Sequence, residues 1–297
     1  MAIRSQAWGG ENLKIILANG QEVFRPMGLT DVPGGVANAG FFALLFGMVI
    51  ALKYRNPFLL IAGVGSGAIG LFCILLSQVR STLVSLVICL LLVAVILIRT
   101  SQFSRLTAMA SGVTALFVAT FGWAIAVGGT MTLERINTLF AGSAGEVYQQ
   151  NRGFFLQDTI ENLLPQYPLG AGLGRWGMMN AYFGDSQNVD AQPIWVEIQW
   201  TGWLFDGGIP LIIAYVAAIL IACYTTYKIA INRNLGDFEL WGGLILSYNI
   251  SCIAILFNYP LFISQSGMEF WLLNMALFVA ANHYQSVNNR AREGTLL

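Results

Sequence analysis

Apolar residues gather along this chain in seven runs, at 36–52, 58–77, 83–98, 106–127, 203–224, 240–257 and 268–284. Each is long enough, with flanking residues borrowed where a run is short, to carry a helix across roughly 30 Å of hydrocarbon. The pattern predicts an all-α fold, a polytopic transmembrane helical bundle of about seven spans. Asp206 and Pro210 interrupt the start of the fifth run, so its upper end is expected to bend or to line a cavity.

A long polar interval, 129–199, separates the fourth run from the fifth. Within it Ser143-Ala144-Gly145-Glu146 has the spacing of a capping box. Leu156, Ile160, Leu163 and Leu164 then share one face at helical spacing, and Pro165 and Pro168 are expected to stop the helix. The interval is predicted to be a folded cap, with a helix lying along the membrane surface. The chain then divides into an outer segment (1–35), four helices (36–128), the cap (129–199), three helices (200–284) and an inner tail (285–297).

Positive charge sets the orientation. With the N-terminus outside, the short inner connections hold Lys53, Arg55, Arg99, Arg105, Lys228, Arg233, Arg290 and Arg292. Arg4, Lys14, Arg25, Arg80, Arg135, Arg152 and Arg175 are spread over the much longer outer segments. The denser basic side is the inner one, which places the cap on the outer face.

Composition supports the class and narrows the chemistry. The chain is 56% hydrophobic and 10% charged, too little charge for a water-exposed surface. Its net charge is zero, which points to no nucleic-acid partner. Cys73, Cys89, Cys223 and Cys252 all lie in apolar runs without a CxxC pair, so they read as small hydrophobes. His283 is the single histidine, so no His-based metal site is expected, and the chemistry is either metal-independent or uses ions held by carboxylates; no cofactor is expected. Residues 1–35 are polar and carry no cleavable export signal, from which further helices upstream are expected.

Candidate chemistry collects at the outer face. Arg80 opens a helix in the short connection Ser77-Gln78-Val79-Arg80; it is either a snorkelling side chain at a helix end or a ligand for a lipid-linked phosphate. Arg152 and Arg175 share the cap with Glu134, Glu146, Asp158, Glu161, Asp185, Asp190 and Glu197. They are either members of ordinary surface ion pairs or, with Arg80 and Arg25, convergent on one diphosphate. Gly170, Gly172 and Gly174 follow no strand and precede no Lys-Ser/Thr, which excludes a Rossmann fingerprint and a P-loop. They form a flexible turn or a backbone that approaches a ligand, with amides facing an anion. Glu197, just before the fifth run, is a general base or a solvated acid at a helix start. Trp176, Tyr182, Trp195, Trp200 and Trp203 fit an aromatic belt, or stack on sugar rings.

Together these residues resemble a known family. Ser77-Gln78-Val79-Arg80-Ser81 is similar to the Ser-Arg element of the O-antigen ligase/polymerase superfamily. Arg152 followed by Pro168-Leu169-Gly170-Ala171-Gly172-Leu173-Gly174 resembles its outer-loop pattern, and Asp206-Gly207-Gly208-Ile209 its acid-x-Gly-Leu/Ile helix start. Phe24-Arg25-Pro26-Met27-Gly28-Leu29 is similar to its upstream Arg-x-x-Gly. The likeness spans Arg25 to the C-terminus.

The resemblance implies a metal-independent, inverting glycosyltransferase of the bacterial inner membrane, with its main loop periplasmic. Such enzymes move a glycan from undecaprenyl diphosphate to an acceptor glycan or glycolipid. Arg80 and Arg152 would hold the diphosphate, with Arg25, Arg175, Gly172 and Gly174 as further substrate-binding candidates. The ligases place a His-Asn pair where this chain has Glu197-Ile198, which implies Glu197 as the base in place of the histidine. Members also have ten or more spans. A transporter of polysaccharide or small anions, which would need polar groups along its spans and broken helices, and an inactive fragment stand as alternatives.

Overall fold

The computed structural model describes residues 14–16, 22–24, 33–129, 145, 148–173 and 196–294. The chain is helical and divides into two compact units, Met1–Gly142 and Ser143–Leu297. Among the described residues, six helices are long and apolar enough to cross a membrane.

The first unit opens with a small ladder, β1 (Lys14–Ile16) antiparallel to β2 (Glu22–Phe24), in which Ile15 pairs with Val23. The helical spacing rules gave no hint of it. The signal was Asn19-Gly20, turn-forming residues between Lys14-Ile15-Ile16 and Glu22-Val23-Phe24. Four helices follow: α1 (Pro33–Lys53), α2 (Pro57–Ser77), α3 (Arg80–Arg99) and α4 (Phe103–Gly128). Asn56 caps α2 by accepting from the Phe58 amide at 2.9 Å, and Pro57 occupies the first turn, where its missing N–H costs nothing.

Glycines bring α1 and α2 into backbone contact. A Cβ on Gly40 would lie 2.5 Å from the Gly70 carbonyl oxygen, and one on Gly70 would lie 2.4 Å from that of Gly40. Gly47 and Gly63 repeat the arrangement at 2.4 and 2.7 Å. Each helix carries its two glycines seven residues apart, two turns along one face, and the pairing is antiparallel. Lipid gives apolar helices no hydrophobic reason to associate, so close packing through small residues is what holds such a pair. Ser66 adds a bond from its hydroxyl to the Ala43 carbonyl at 3.0 Å.

The second unit contains a helical run at 149–166 (α5), then α6 (Gln199–Ala230), α7 (Phe238–Ile255) and α8 (Gln265–Gly294). The run expected to form a seventh span lies in α8, which is not among these six: Glu269, Asn274, Asn282 and His283 lower its apolarity. Ile229, Leu235, Ile245, Leu277 and Ala281 form a core among these helices. Beside it sits a buried polar trio. Asn249 and Asn274 exchange amide hydrogen bonds at 2.8 and 2.9 Å, and Asn249 also donates to the Thr226 hydroxyl at 3.2 Å.

The bend expected at the start of the fifth run is present and sits at Gly208. Its φ of 66° and ψ of −154° break α6 in two. The break is sharp enough for the Trp203 ring to stack on Tyr215, 4.8 Å between centroids, across twelve residues of chain.

α5 differs from its expected form. It contains two π turns, Gln149–Gly153 and Thr159–Leu163, joined by Phe154–Asp158 and ended by Leu164–Gln166. The wider turns shift the inward face to a spacing of four residues. Thr159 is buried, and Leu163 and Tyr167 pack on the α6 side, whereas Ile160 of the expected face is exposed. Pro165 sits in the last helical turn, and the run ends one residue beyond it. Ser143 and Glu146 of the expected capping box lie outside the described residues.

Candidate functional site

The candidate site is built on the broken helix. A break in α6 strips backbone groups of their helical partners, and the segment after α5 supplies replacements. Ile209 donates its amide to the Pro168 carbonyl at 2.9 Å, while Ala171 and Gly172 donate theirs to the Phe205 carbonyl at 2.7 and 3.1 Å. Such a fit demands glycine on both sides. A Cβ on Gly208 would lie 2.2 Å from the Pro168 oxygen, and one on Gly170 would lie 2.8 Å from Gly207. The amide of Gly172 is thus engaged with Phe205, and that of Gly170 with the Tyr167 carbonyl at 3.0 Å. Gly174 lies outside the described residues.

α5 is fastened to the first half of α6 at two further points. The hydroxyls of Thr159 and Thr201 share a hydrogen bond of 2.5 Å. Leu163, Tyr167 and Ala171 pack against Val196 and Phe205, with the Tyr167 and Phe205 rings 5.5 Å apart. This packing sets Arg152, on the first π turn, against Glu197, just ahead of α6. Arg152 Nη1 and Glu197 Oε2 form an ion pair, with the two side chains 32% and 24% exposed. Burial pulls the Arg152 guanidinium below its ordinary pKa, because a charge partly stripped of water loses hydration. An anionic partner offsets that loss.

The backbone around Glu197 is held firmly. Val196 and Ile198 are buried on either side, and Gln199 is fully enclosed, its amide donating to the Leu256 carbonyl at 3.0 Å. The Gln199 side chain accepts from the Phe262 amide at 2.7 Å, which fixes its orientation. Its Nε2 and the indole nitrogens of Trp200 and Trp203 are buried donors that meet no acceptor among the described residues. Trp203, expected in an aromatic belt, is instead a core residue at 1% exposure. Asp206 is half-buried two residues before the break.

No protein-family model, curated protein or solved structure matches this chain.

Of the other sequence candidates, Arg80 belongs to the first unit. It is half-buried in the first turn of α3, after a tight connection in which Gln78 takes a left-handed φ of 57°. Ser77 donates its hydroxyl to the Ile74 carbonyl at 2.8 Å and accepts from the Val79 amide at 3.4 Å, which shapes the turn. Arg25 and Arg175 lie outside the described residues, as do Trp176, Tyr182 and Trp195. Among the described residues no three His, Cys, Asp or Glu side chains cluster as a metal site. The Arg152–Glu197 pair itself was not visible in the sequence, since its members stand 45 positions apart in an interval that offers Arg152 six other acidic residues.

Proposed function

We propose that the protein is a glycosyltransferase of the bacterial inner membrane that moves a glycan from undecaprenyl diphosphate to an acceptor glycan or glycolipid at the periplasmic face. The observation that carries this reading is the placement of Arg152. A partly buried guanidinium on a π turn, above a helix broken inside its apolar run, is suited to an anionic group delivered from the lipid side. An arginine has five donors in a planar fork, so one nitrogen on Glu197 leaves others for phosphate oxygens. Arg80 of the first unit enters this reading by the family resemblance alone, as a further diphosphate-binding candidate.

In the proposed reaction an acceptor hydroxyl oxygen bonds to the anomeric carbon as the bond from that carbon to the diphosphate oxygen breaks. The electron pair leaves with the diphosphate, and fixed positive charge stabilises it as it develops. The hydroxyl proton passes to a carboxylate or to water on the acceptor side. Attack opposite the leaving group inverts the anomeric centre.

The broken α6 and the polar trio also suit a transporter, whose sites lie at interrupted helices. They favour it weakly. The broken ends bond to residues 168–172, and Asn249, Asn274 and Thr226 bond to one another. The test of the main reading is complementation of a host that lacks its own glycan polymerase or ligase. Arg80→Ala and Arg152→Ala are each expected to abolish long glycans on gels. Unchanged chain-length ladders, with both variants present in the membrane, would end the proposal.

A further inference from the structure

We infer that Glu197 is the positioning residue of Arg152 and not the base that takes the acceptor proton. This rests on the reading of the site as glycan transfer with a diphosphate leaving group.

Three observations carry it. First, the Glu197 carboxylate touches the guanidinium that would hold the diphosphate. In inverting displacement at a sugar, the base stands on the face opposite the leaving group. The two catalytic carboxyls of inverting glycosidases, one on each side, are about 6.5–9.5 Å apart. A carboxylate paired with the diphosphate's own ligand is placed on the departing side, away from where the incoming hydroxyl arrives.

Second, Glu197 has little freedom to cross over. Val196, Ile198 and Gln199 around it are buried, and the Gln199 amide and side chain are bonded to Leu256 and Phe262. Third, Arg152 needs a guide. Its long side chain has many rotamers, and its own turn is a five-residue π turn with no side-chain cap. A fixed carboxylate removes much of that freedom and offsets the hydration lost by partial burial, so the remaining nitrogens present one set of donors to the diphosphate.

The test is steady-state transfer by the full-length protein in lipid vesicles, from undecaprenyl-diphosphate-linked glycan to an acceptor glycan. Wild type, Glu197→Gln, Glu197→Asp, Arg152→Gln and the double variant Arg152→Gln/Glu197→Gln would be compared, with thermal unfolding to confirm that each is folded. For a positioning residue, Glu197→Gln raises KM for the lipid-linked donor about tenfold and lowers kcat less. The acid limb of the kcat–pH profile survives, Glu197→Asp recovers part of the loss, and the double variant is no worse than Arg152→Gln alone. A loss in kcat of about 100- to 10,000-fold with KM unchanged and the acid limb gone would make Glu197 the base. Kinetics unchanged in Glu197→Gln would equally overturn the inference. Both outcomes leave glycan transfer standing, whereas a wild-type protein that neither transfers glycan nor binds undecaprenyl diphosphate overturns the reading of the site and this inference with it.

Discussion

The Ile209 amide donates to the Pro168 carbonyl at 2.9 Å, joining the segment after α5 to the second half of α6 at the point where that helix breaks. Two more bonds, from Ala171 and Gly172 to the Phe205 carbonyl, close the other side of the break. The glycine-rich segment therefore acts first as a splice for a broken helix, and the cap held by it carries Arg152.

The splice has a sharp steric requirement. Gly208 has φ 66°, and a Cβ there would lie 2.2 Å from the Pro168 oxygen. Gly208→Ala is expected to cost about 1–3 kcal/mol for the backbone conformation alone, with the clash in addition. A fall in the thermal midpoint in detergent checks this. Gly65→Ala, where an added methyl meets nothing within 4 Å, should leave it unchanged or slightly raised.

The glycine seam between α1 and α2 makes a second prediction. Gly47→Leu places a branched side chain where even a Cβ would lie 2.4 Å from the Gly63 oxygen, so the helices must separate. Loss of folded protein from the membrane fraction is expected. Gly112→Leu, with open space around it, should accumulate normally.

In the second unit the polar trio locks the register of α6, α7 and α8. Asn274→Leu leaves the Asn249 amide without its main partner, at a cost of about 1–2 kcal/mol, the upper range for bonds between helices in a membrane. Chemical denaturation in mixed micelles measures it. The double variant Asn249→Leu/Asn274→Leu should recover part of the loss, because no amide is then left unpaired.

Much of the fold was legible because the runs that form the spans are apolar throughout, a signal that survives any choice of neighbours. The bend in α6 was legible from Asp206 and Pro210, although the residue that breaks is Gly208. Pairing was not legible. Gly40 and Gly47 look like ordinary glycines until Gly70 and Gly63 are found opposite them. The face of α5 was misplaced because π turns have no signature in apolar spacing, and Ile160 consequently faces outward. At the site, Arg152 and Glu197 were each singled out from the sequence, but their contact depends on the Thr159–Thr201 bond and the Tyr167–Phe205 packing. These are tertiary relations that no local pattern encodes.

The central claim is that Arg152 grips a diphosphate leaving group. Its most direct test is release of undecaprenyl diphosphate as glycan passes from an undecaprenyl-diphosphate-linked donor to an added acceptor glycan, by purified protein in vesicles, wild type against Arg152→Lys and Arg152→Ala. A lysine keeps the charge but not the planar fork, so Arg152→Lys is expected to lose roughly tenfold or more in kcat/KM and Arg152→Ala roughly a hundredfold or more. Equal release by all three proteins, or no release by the wild type, would contradict the account.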